Sequence, residues 1–213
     1  MKYQGIIFDL DGVLCTTDRF HYLAWKQTAE EIGVPFDETV NMKLRGVSRM
    51  ESLDIILSAS DRTFSEQEKL RLATEKNDRY RMLLAQLTPE DMAQEVRDAL
   101  TALHNAGYKL AVGSSSKNAG YILERLMAKQ YFDAICDGTM IQNSKPDPEV
   151  FVKAAGMIDL PASSCLVVED AAAGLEAAKA GGMDCVIVGE APMPFAPTYH
   201  LRDVTELPAI LLG

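Results

Sequence analysis

Short apolar runs alternate with helical patterns along most of the chain. The runs are rich in β-branched residues and have strand length; they read GIIF, YKLAVG, CLVV and CVIVG, starting at positions 5, 108, 165 and 185. Between most of them, segments such as EVRDALTALHNAG and AAAGLEAAKAGG space their apolar residues three and four apart. This alternation predicts an α/β fold, with a parallel sheet that is flanked by helices on both faces.

A long helical stretch interrupts this alternation after the first run. About a hundred residues separate the first two runs, too many for one crossover, and residues from Phe20 to Leu87 have helical spacing almost throughout. The sequence therefore predicts a small all-helical domain at 16–87, inserted after the first strand of an α/β core made of 1–15 and 88–213. The proline-rich tail after Val188 is expected to carry the last strand and helix.

Composition narrows the range of partners. The 213 residues carry a formal net charge of -10, which argues against nucleic-acid or anionic-membrane binding, because both need a basic surface. No apolar stretch approaches the roughly 18 residues of a membrane span. The four cysteines form no CxxC pair, so we expect reduced cysteines in the core. The expected protein is a cytoplasmic monomer with a small-molecule substrate, binding neither nucleic acid nor membrane.

Polar residues follow the apolar runs where strands of a parallel sheet would end. Ligands bind at the carboxyl ends of such strands, so these residues should converge. They are Asp9 and Asp11 after the first run, 114–118 after the second, Lys145 in NSKPDPEVF, and Glu169 with Asp170 after CLVV. Carboxylates, hydroxyls, helix-start amides and one lysine together favour Mg²⁺ and phosphate.

These motifs, in this order, resemble those of the haloacid dehalogenase superfamily: DxDG, a Ser/Thr, a Lys and an acidic pair. The resemblance implies a Rossmann-like core with a helical cap, Asp9 as nucleophile and Asp11 as general acid/base. An ionised aspartate could attack phosphorus and form an acyl phosphate. The cofactor would be Mg²⁺, with Asp9, Asp170 and the backbone carbonyl of Asp11 as ligands and Glu169 as a ligand or an indirect support. Ser114, Ser115 and Lys145 would bind phosphate.

Segments of the helical insert are similar to the β-phosphoglucomutase family. They are TTDRFHYLAWK, LRGVSRMESL and EKNDRY, together with SSSKNA in the core. The resemblance implies that Arg49 binds a second phosphate, and it gives these substrate-side candidates: Thr17, His21, Trp25, Leu44, Gly46, Val47, Arg49, Ser52, Lys76, Ser116 and Asn118. Packing alone would also explain Trp25, and His21 could either gate Asp11 or satisfy a backbone carbonyl.

Three functions remain open on this basis. The first is a Mg²⁺-dependent mutase that interconverts β-D-glucose 1-phosphate and glucose 6-phosphate, or a closely related sugar phosphate, through phosphorylated Asp9 and a sugar bisphosphate. The second is a sugar-phosphate phosphatase of the same fold. The third is a phosphosugar-binding protein without turnover, which the presence of Asp9, Asp11, Lys145 and Asp170 disfavours. Two departures from the family pattern concern the hinges: Thr16-Thr17 replaces an Asp-Thr pair, and LTPEDMAQEV replaces a Pro-Gly turn.

Overall fold

The chain forms two compact units. The computed structural model describes residues 2–44 and 47–213. One unit, the α/β unit, comprises the chain up to Thr16 together with Thr88–Gly213, and the other, the helical unit, comprises Thr17–Leu87. Gly46, one of the substrate-side candidates, lies outside the described residues. The function of the helical unit as a cap stays a prediction.

A parallel sheet forms the centre of the α/β unit. Its strands are β1 (Gly5–Phe8), β2 (Lys109–Gly113), β3 (Ala134–Cys136), β4 (Cys165–Glu169), β5 (Asp184–Val188) and β6 (Tyr199–Leu201). The strand order is β3-β2-β1-β4-β5-β6, and every pairing in it is parallel. The predicted α/β class is therefore confirmed.

Helices α1 to α4 belong to the helical unit, and α5 to α9 belong to the α/β unit. They are α1 (Asp18–Glu31), α2 (Glu38–Met42), α3 (Arg49–Leu57), α4 (Glu66–Leu84), α5 (Gln94–Asn105), α6 (Ala119–Arg125), α7 (Glu149–Met157), α8 (Ala172–Ala180) and α9 (Leu207–Leu212). Short 3-10 turns lie at Pro89–Asp91, Lys129–Tyr131, Ala162–Ser164 and Val204–Glu206.

The α/β unit is held by an apolar core between the sheet and its helices. Ile7, Val167 and Ile187 of the strands are fully buried, and Phe151 of α7 packs in the same cluster. Strands buried on both faces need the continuous apolar runs seen in the sequence. All four cysteines are buried, and none of them forms a disulfide, which confirms the prediction of reduced core cysteines.

The helical unit has its own apolar cluster. Trp25 of α1 is only 2% exposed and packs in this cluster with Leu53 of α3 and Leu72 of α4. Helices α3 and α4 each begin with a capping box, in which a serine and a glutamate three residues later satisfy each other's backbone N–H groups. No helix in the described part of the chain combines the length and apolar character needed to cross a bilayer.

Candidate active site

Three carboxylates meet at the carboxyl edge of the sheet. Asp9 directly follows β1, Glu169 ends β4, and Asp170 comes next. Each offers an oxygen atom, and these atoms all lie within 4.8 Å of one another. The neighbouring strands β1 and β4 bring them together, because both end at this edge and the backbone N–H of Asp9 donates to Val168 at 2.9 Å. Among the described residues, this is the acidic group placed to hold a metal ion.

Lys145 joins this group from the loop before α7. Its Nζ donates to Oδ1 of Asp9 at 2.5 Å and to Oε1 of Glu169 at 2.6 Å. Burial by itself would lower the pKa of Lys145, but Asp9 and Glu169 raise that pKa above its ordinary value. The ammonium group therefore stays charged across the physiological pH range, which its predicted role in phosphate binding requires.

Glu169 also fixes the turn that leads into α8. Its Oε2 accepts the backbone N–H groups of Asp170 at 2.8 Å and Ala171 at 2.9 Å. A Cβ atom at Gly174 would lie 2.0 Å from Cδ of Glu169, so only glycine leaves room for this carboxylate. The sequence analysis did not identify Gly174, because nothing in its helical setting shows that a side chain folds back over it.

The carboxylates repel one another in a buried setting. Burial above all, together with Glu169 and Asp11 and against the opposing effect of Lys145, raises the pKa of Asp9 to about 7. Burial, then Glu169 and Asp9, likewise raise the pKa of Asp170 to about 8. One lysine does not balance this much negative charge. A cluster of carboxylate oxygens with excess negative charge fits a hard divalent cation.

Asp11 lies on the tight turn after the first aspartate. Gly12 has a φ of 82°, in the left-handed region, and its N–H donates to Cys15 at 2.8 Å. A Cβ at Gly12 would lie 2.1 Å from Oδ2 of Asp170, so this glycine also makes room for a carboxylate. The side chain of Asp11 is half-buried and does not belong to the group of three carboxylates. Its predicted contribution to metal binding is through the backbone carbonyl.

The loop at 114–118 is fastened to the end of β3. Ser114 is buried and donates its backbone N–H to Cys136 at 3.0 Å, while its Oγ accepts the N–H of Ser116 at 3.2 Å. Gly138 donates to the carbonyl of Ser116 at 3.1 Å. Ser115 is half-buried, and its Oγ accepts the N–H of Lys145 at 3.3 Å. These bonds connect the predicted phosphate-binding serines to the loop that carries the lysine.

The same loop contains two further candidates, Ser116 and Asn118, and it packs against a glycine that was not predicted. Asn118 is buried at the start of α6, and the Oγ of Ser116 accepts its N–H at 3.2 Å. A Cβ at Gly138 would lie 2.2 Å from the carbonyl oxygen of Ser115, so the loop rests directly on this glycine. Gly138 was not predicted from the sequence, because its importance depends on a backbone contact with a segment more than twenty residues away.

The helical unit contains a buried lysine, Lys76, that is surrounded by aromatic rings. Lys76 is 3% exposed, and its Nζ lies 2.8 Å from Nδ1 of His21 and 4.6 Å and 4.8 Å from the ring centres of Trp25 and Tyr80. Burial, then Lys76 and Arg49, hold the pKa of His21 well below its ordinary value. The imidazole is therefore neutral at physiological pH and accepts from the ammonium group through Nδ1. His21 also stacks on Tyr80, with 4.0 Å between ring centres.

Arg49 is the first residue of α3. Its Nη2 donates to Oδ1 of Asn77 on α4 at 2.8 Å, and its side chain is half-buried. Burial lowers the pKa of Arg49, and Asp78 and Tyr80 oppose that shift. Asn77 was not predicted, although it lies within the quoted segment EKNDRY.

The other candidates of the helical unit are mainly packed inside it. Trp25 and Leu44 belong to its apolar cluster, and Ser52 is buried on α3. Thr17 is fully buried, with Oγ1 2.8 Å from the hydroxyl of Tyr80. Val47 is half-buried. Packing accounts for the burial of Trp25 and Leu44, and their substrate roles stay predictions.

This architecture and site agree with three comparisons to known proteins. The model of the haloacid dehalogenase-like hydrolase family matches residues 6–188. The β-phosphoglucomutase of Bacillus subtilis (strain 168) is 41% identical over 211 residues, covering 98% of this chain and 93% of that protein. A crystal structure of β-phosphoglucomutase from Clostridium difficile superposes with a TM-score of 0.88 at 35% identity, covering 96% of this chain and 93% of that one.

The same family also contains phosphatases. The fructose-1-phosphate phosphatase of Escherichia coli (strain K12) is 31% identical over 192 residues, covering 88% of this chain and 97% of that protein. The chain belongs to the haloacid dehalogenase-like hydrolase family. Within this family it resembles β-phosphoglucomutases over nearly its full length, and it is an enzyme of that phosphotransferase and isomerase kind.

Proposed function

We propose that the chain is a Mg²⁺-dependent phosphosugar mutase that interconverts β-D-glucose 1-phosphate and glucose 6-phosphate. The identity of 41% to the Bacillus subtilis β-phosphoglucomutase supports this choice. The observation that carries it is a second cationic site: besides Lys145 beside Asp9, the helical unit presents Arg49 at the start of α3. A mutase handles a substrate with a phosphate at each end in turn, whereas hydrolysis needs one phosphate site.

In the α/β unit, Asp9 would be the nucleophile. A carboxylate oxygen of Asp9 attacks phosphorus, the bond to the sugar oxygen breaks, and Asp11 gives its proton to that leaving oxygen. In the return step Asp11 takes the proton from the attacking sugar hydroxyl, and the phosphate leaves Asp9. Lys145 binds phosphate oxygens as a point charge, and Ser114 and Ser115 donate hydrogen bonds.

Asp9, Glu169 and Asp170 are the residues that would hold Mg²⁺. Their oxygen atoms form the donor set that this cation prefers. Burial and the neighbouring carboxylates raise the pKa values of Asp9 and Asp170, and a bound cation would offset both effects. When bound, the cation supplies positive charge that allows a carboxylate to approach a phosphate dianion.

In the helical unit, Arg49 would bind the phosphate that is not reacting. A cation at the first turn of a helix is opposed by the partial positive charge of the helix N-terminus. Arg49 is in addition half-buried, and burial lowers its pKa. An anionic ligand relieves both costs. The planar guanidinium matches a phosphate with two parallel hydrogen bonds, which a lysine cannot do.

A phosphatase is the second candidate. The fructose-1-phosphate phosphatase of Escherichia coli is 31% identical, and a phosphatase would use Asp9, Asp11 and Lys145 in the same way, with water as the second acceptor. One assay separates the two. Purified protein with Mg²⁺, β-glucose 1-phosphate and a trace of glucose 1,6-bisphosphate is followed for glucose 6-phosphate and free phosphate together. If free phosphate is released faster than glucose 6-phosphate is formed, the chain is a phosphatase and the mutase proposal is wrong.

The substitution Arg49→Ala tests the second phosphate site. A charge-assisted hydrogen bond is worth roughly 1.5 to 3 kcal/mol, so the mutase kcat/KM should fall by about ten- to a few-hundred-fold. Slow hydrolysis of acetyl phosphate, which has no second phosphate, should fall far less. Arg71→Ala, which removes an exposed arginine of α4 that pairs with Glu75, is the matched control and should leave both rates unchanged. An equal fall of both rates in Arg49→Ala would contradict the role of Arg49.

A further inference from the structure

Asn77 contacts Arg49 across two helices of the helical unit. The Oδ1 atom of Asn77, on α4, accepts from Nη2 of Arg49, on α3, at 2.8 Å in a half-buried setting. The two residues are 28 positions apart, so the bond depends on the packing of α3 against α4. Each long side chain fixed in this way loses rotamer freedom before a ligand arrives, which lowers the cost of binding.

The residues beside Asn77 show why this one contacts the guanidinium. Successive residues of an α-helix point about 100° apart, so positions 76, 77 and 78 face three directions. Lys76 is buried beside His21, and Asp78 is exposed. Asp78 acts on Arg49 through its charge, while the amide at 77 makes the hydrogen bond. The contact is therefore made by a neutral group although a carboxylate is the next residue.

A neutral acceptor has a specific advantage at this position. A carboxylate at hydrogen-bond distance from a half-buried guanidinium would form a strong ion pair and occupy the same N–H groups that a phosphate needs. An amide oxygen orients the guanidinium without adding a negative charge of its own. Binding a second phosphate requires that the guanidinium is both oriented and charged. An amide orients the guanidinium and does not neutralise its charge.

We propose that Asn77 is a positioning residue for Arg49, which orients the guanidinium for the second phosphate while leaving its charge available. This inference rests on the proposed mutase function. It adds a residue to which the sequence analysis assigned no role, and it predicts that an acidic side chain at position 77 impairs the enzyme more than the loss of the side chain does.

The experiment compares Asn77→Asp and Asn77→Ala with wild type. The KM for β-glucose 1-phosphate should rise by about three- to tenfold in Asn77→Ala, the effect of one neutral hydrogen bond. It should rise by more than about tenfold in Asn77→Asp, because the new carboxylate competes with the phosphate. The kcat should change less than KM in both. Gln67→Glu adds the same charge at an exposed position of α4 and should behave as wild type.

A double-mutant cycle separates positioning from a merely structural role. In the Arg49→Ala background, Asn77→Asp should raise KM no further, because the residue it acts through is absent. An additional rise of the same size as in wild type would overturn the inference, as would a wild-type KM in Asn77→Asp or a larger effect of Asn77→Ala. Failure of the proposed function looks different: Arg49→Ala by itself would then leave the KM unchanged.

Discussion

Asp9 is buried beside two carboxylates and one ammonium group. The contacts of Lys145 with Asp9 and Glu169 compensate part of the charge, but burial and Glu169 still raise the pKa of Asp9. A folded protein gains little from such an arrangement, because removing charges from water is costly. Its value is chemical: an acidic oxygen is held where a cation and a phosphate can be bound.

Asp9→Asn should eliminate mutase turnover. A neutral amide does not attack phosphorus to form an acyl phosphate, so the covalent route is lost. The fold should persist, because Lys145 keeps its bond to Glu169 and one repulsive charge is removed. The assay follows glucose 6-phosphate formation, and a circular-dichroism melt monitors the fold. Retention of a tenth of the wild-type activity would exclude Asp9 as the nucleophile.

At the scale of single residues, position after a strand was the informative signal. It placed Asp9, Glu169 and Asp170 at one edge of the sheet, where the structure groups them. The sequence analysis missed residues whose importance depends on a contact with a distant part of the chain. Asn77 and Gly138 matter because of Arg49 and Ser115, and no local pattern connects either pair.

At the scale of elements, the inner strands could be located from the sequence, whereas the edge strands could not. A last strand was expected after Val188 without bounds, where β6 lies, and β3 was not expected. The runs beginning at positions 5, 108, 165 and 185 correspond to β1, β2, β4 and β5, which are flanked on both sides in the sheet. β3 and β6 are edge strands of three residues each, and each contains a residue that is not buried. So short an element leaves too few apolar positions for a pattern to show, and its place is decided by its neighbours.

Gly138→Ala should disturb the 114–118 loop. The added methyl group would lie 2.2 Å from the carbonyl oxygen of Ser115 and 2.9 Å from the backbone N of Lys117, and backbone atoms cannot move aside cheaply. Stability should fall by about 1 to 3 kcal/mol. The kcat/KM for β-glucose 1-phosphate should fall by at least about tenfold, because small displacements of binding groups are costly in catalysis.

Gly156→Ala is the matched control for this prediction. Gly156 is exposed in α7, and a Cβ there would meet no atom within 4 Å. Alanine in a helix is more stable than glycine by roughly 0.5 to 1 kcal/mol, so this variant should be at least as stable as wild type and fully active. Urea denaturation measures the stability of both variants, and the mutase assay measures their kcat/KM. Wild-type stability and kcat/KM in Gly138→Ala would show that the loop does not depend on this glycine.

At the scale of the whole molecule, charge links pH to cation binding. The chain carries a net charge of -10, and burial raises the pKa of Asp9 to about 7 and of Asp170 to about 8. Groups with a pKa above their unfolded value of about 3.9 bind protons more tightly in the folded state. Their contribution to stability is therefore fully present below pH ~4 and is lost as the pH rises toward 8.

Thermal melts with EDTA and with Mg²⁺ at several pH values test this link. In EDTA, the melting temperature should fall between pH 6 and pH 8.5. Mg²⁺ competes with protons for the carboxylates, so its stabilising effect should be larger at pH 8.5 than at pH 6. Asp170→Asn should weaken both trends, whereas Asp61→Asn, which removes an exposed charge, should change neither. Equal stabilisation by Mg²⁺ at both pH values would contradict the assignment of these carboxylates to the cation.

The position of β1 in the sheet has a consequence for the order of folding during synthesis. β1 is made before both of its neighbours, β2 and β4, so its two sides cannot both be paired until Val168 has been translated. The helical unit ends at Leu87 and contains its own apolar cluster. We therefore expect it to pack during translation, before β1 can pair on both sides. Asp9 is thus translated well before Glu169 and Asp170, the carboxylate neighbours that complete its site.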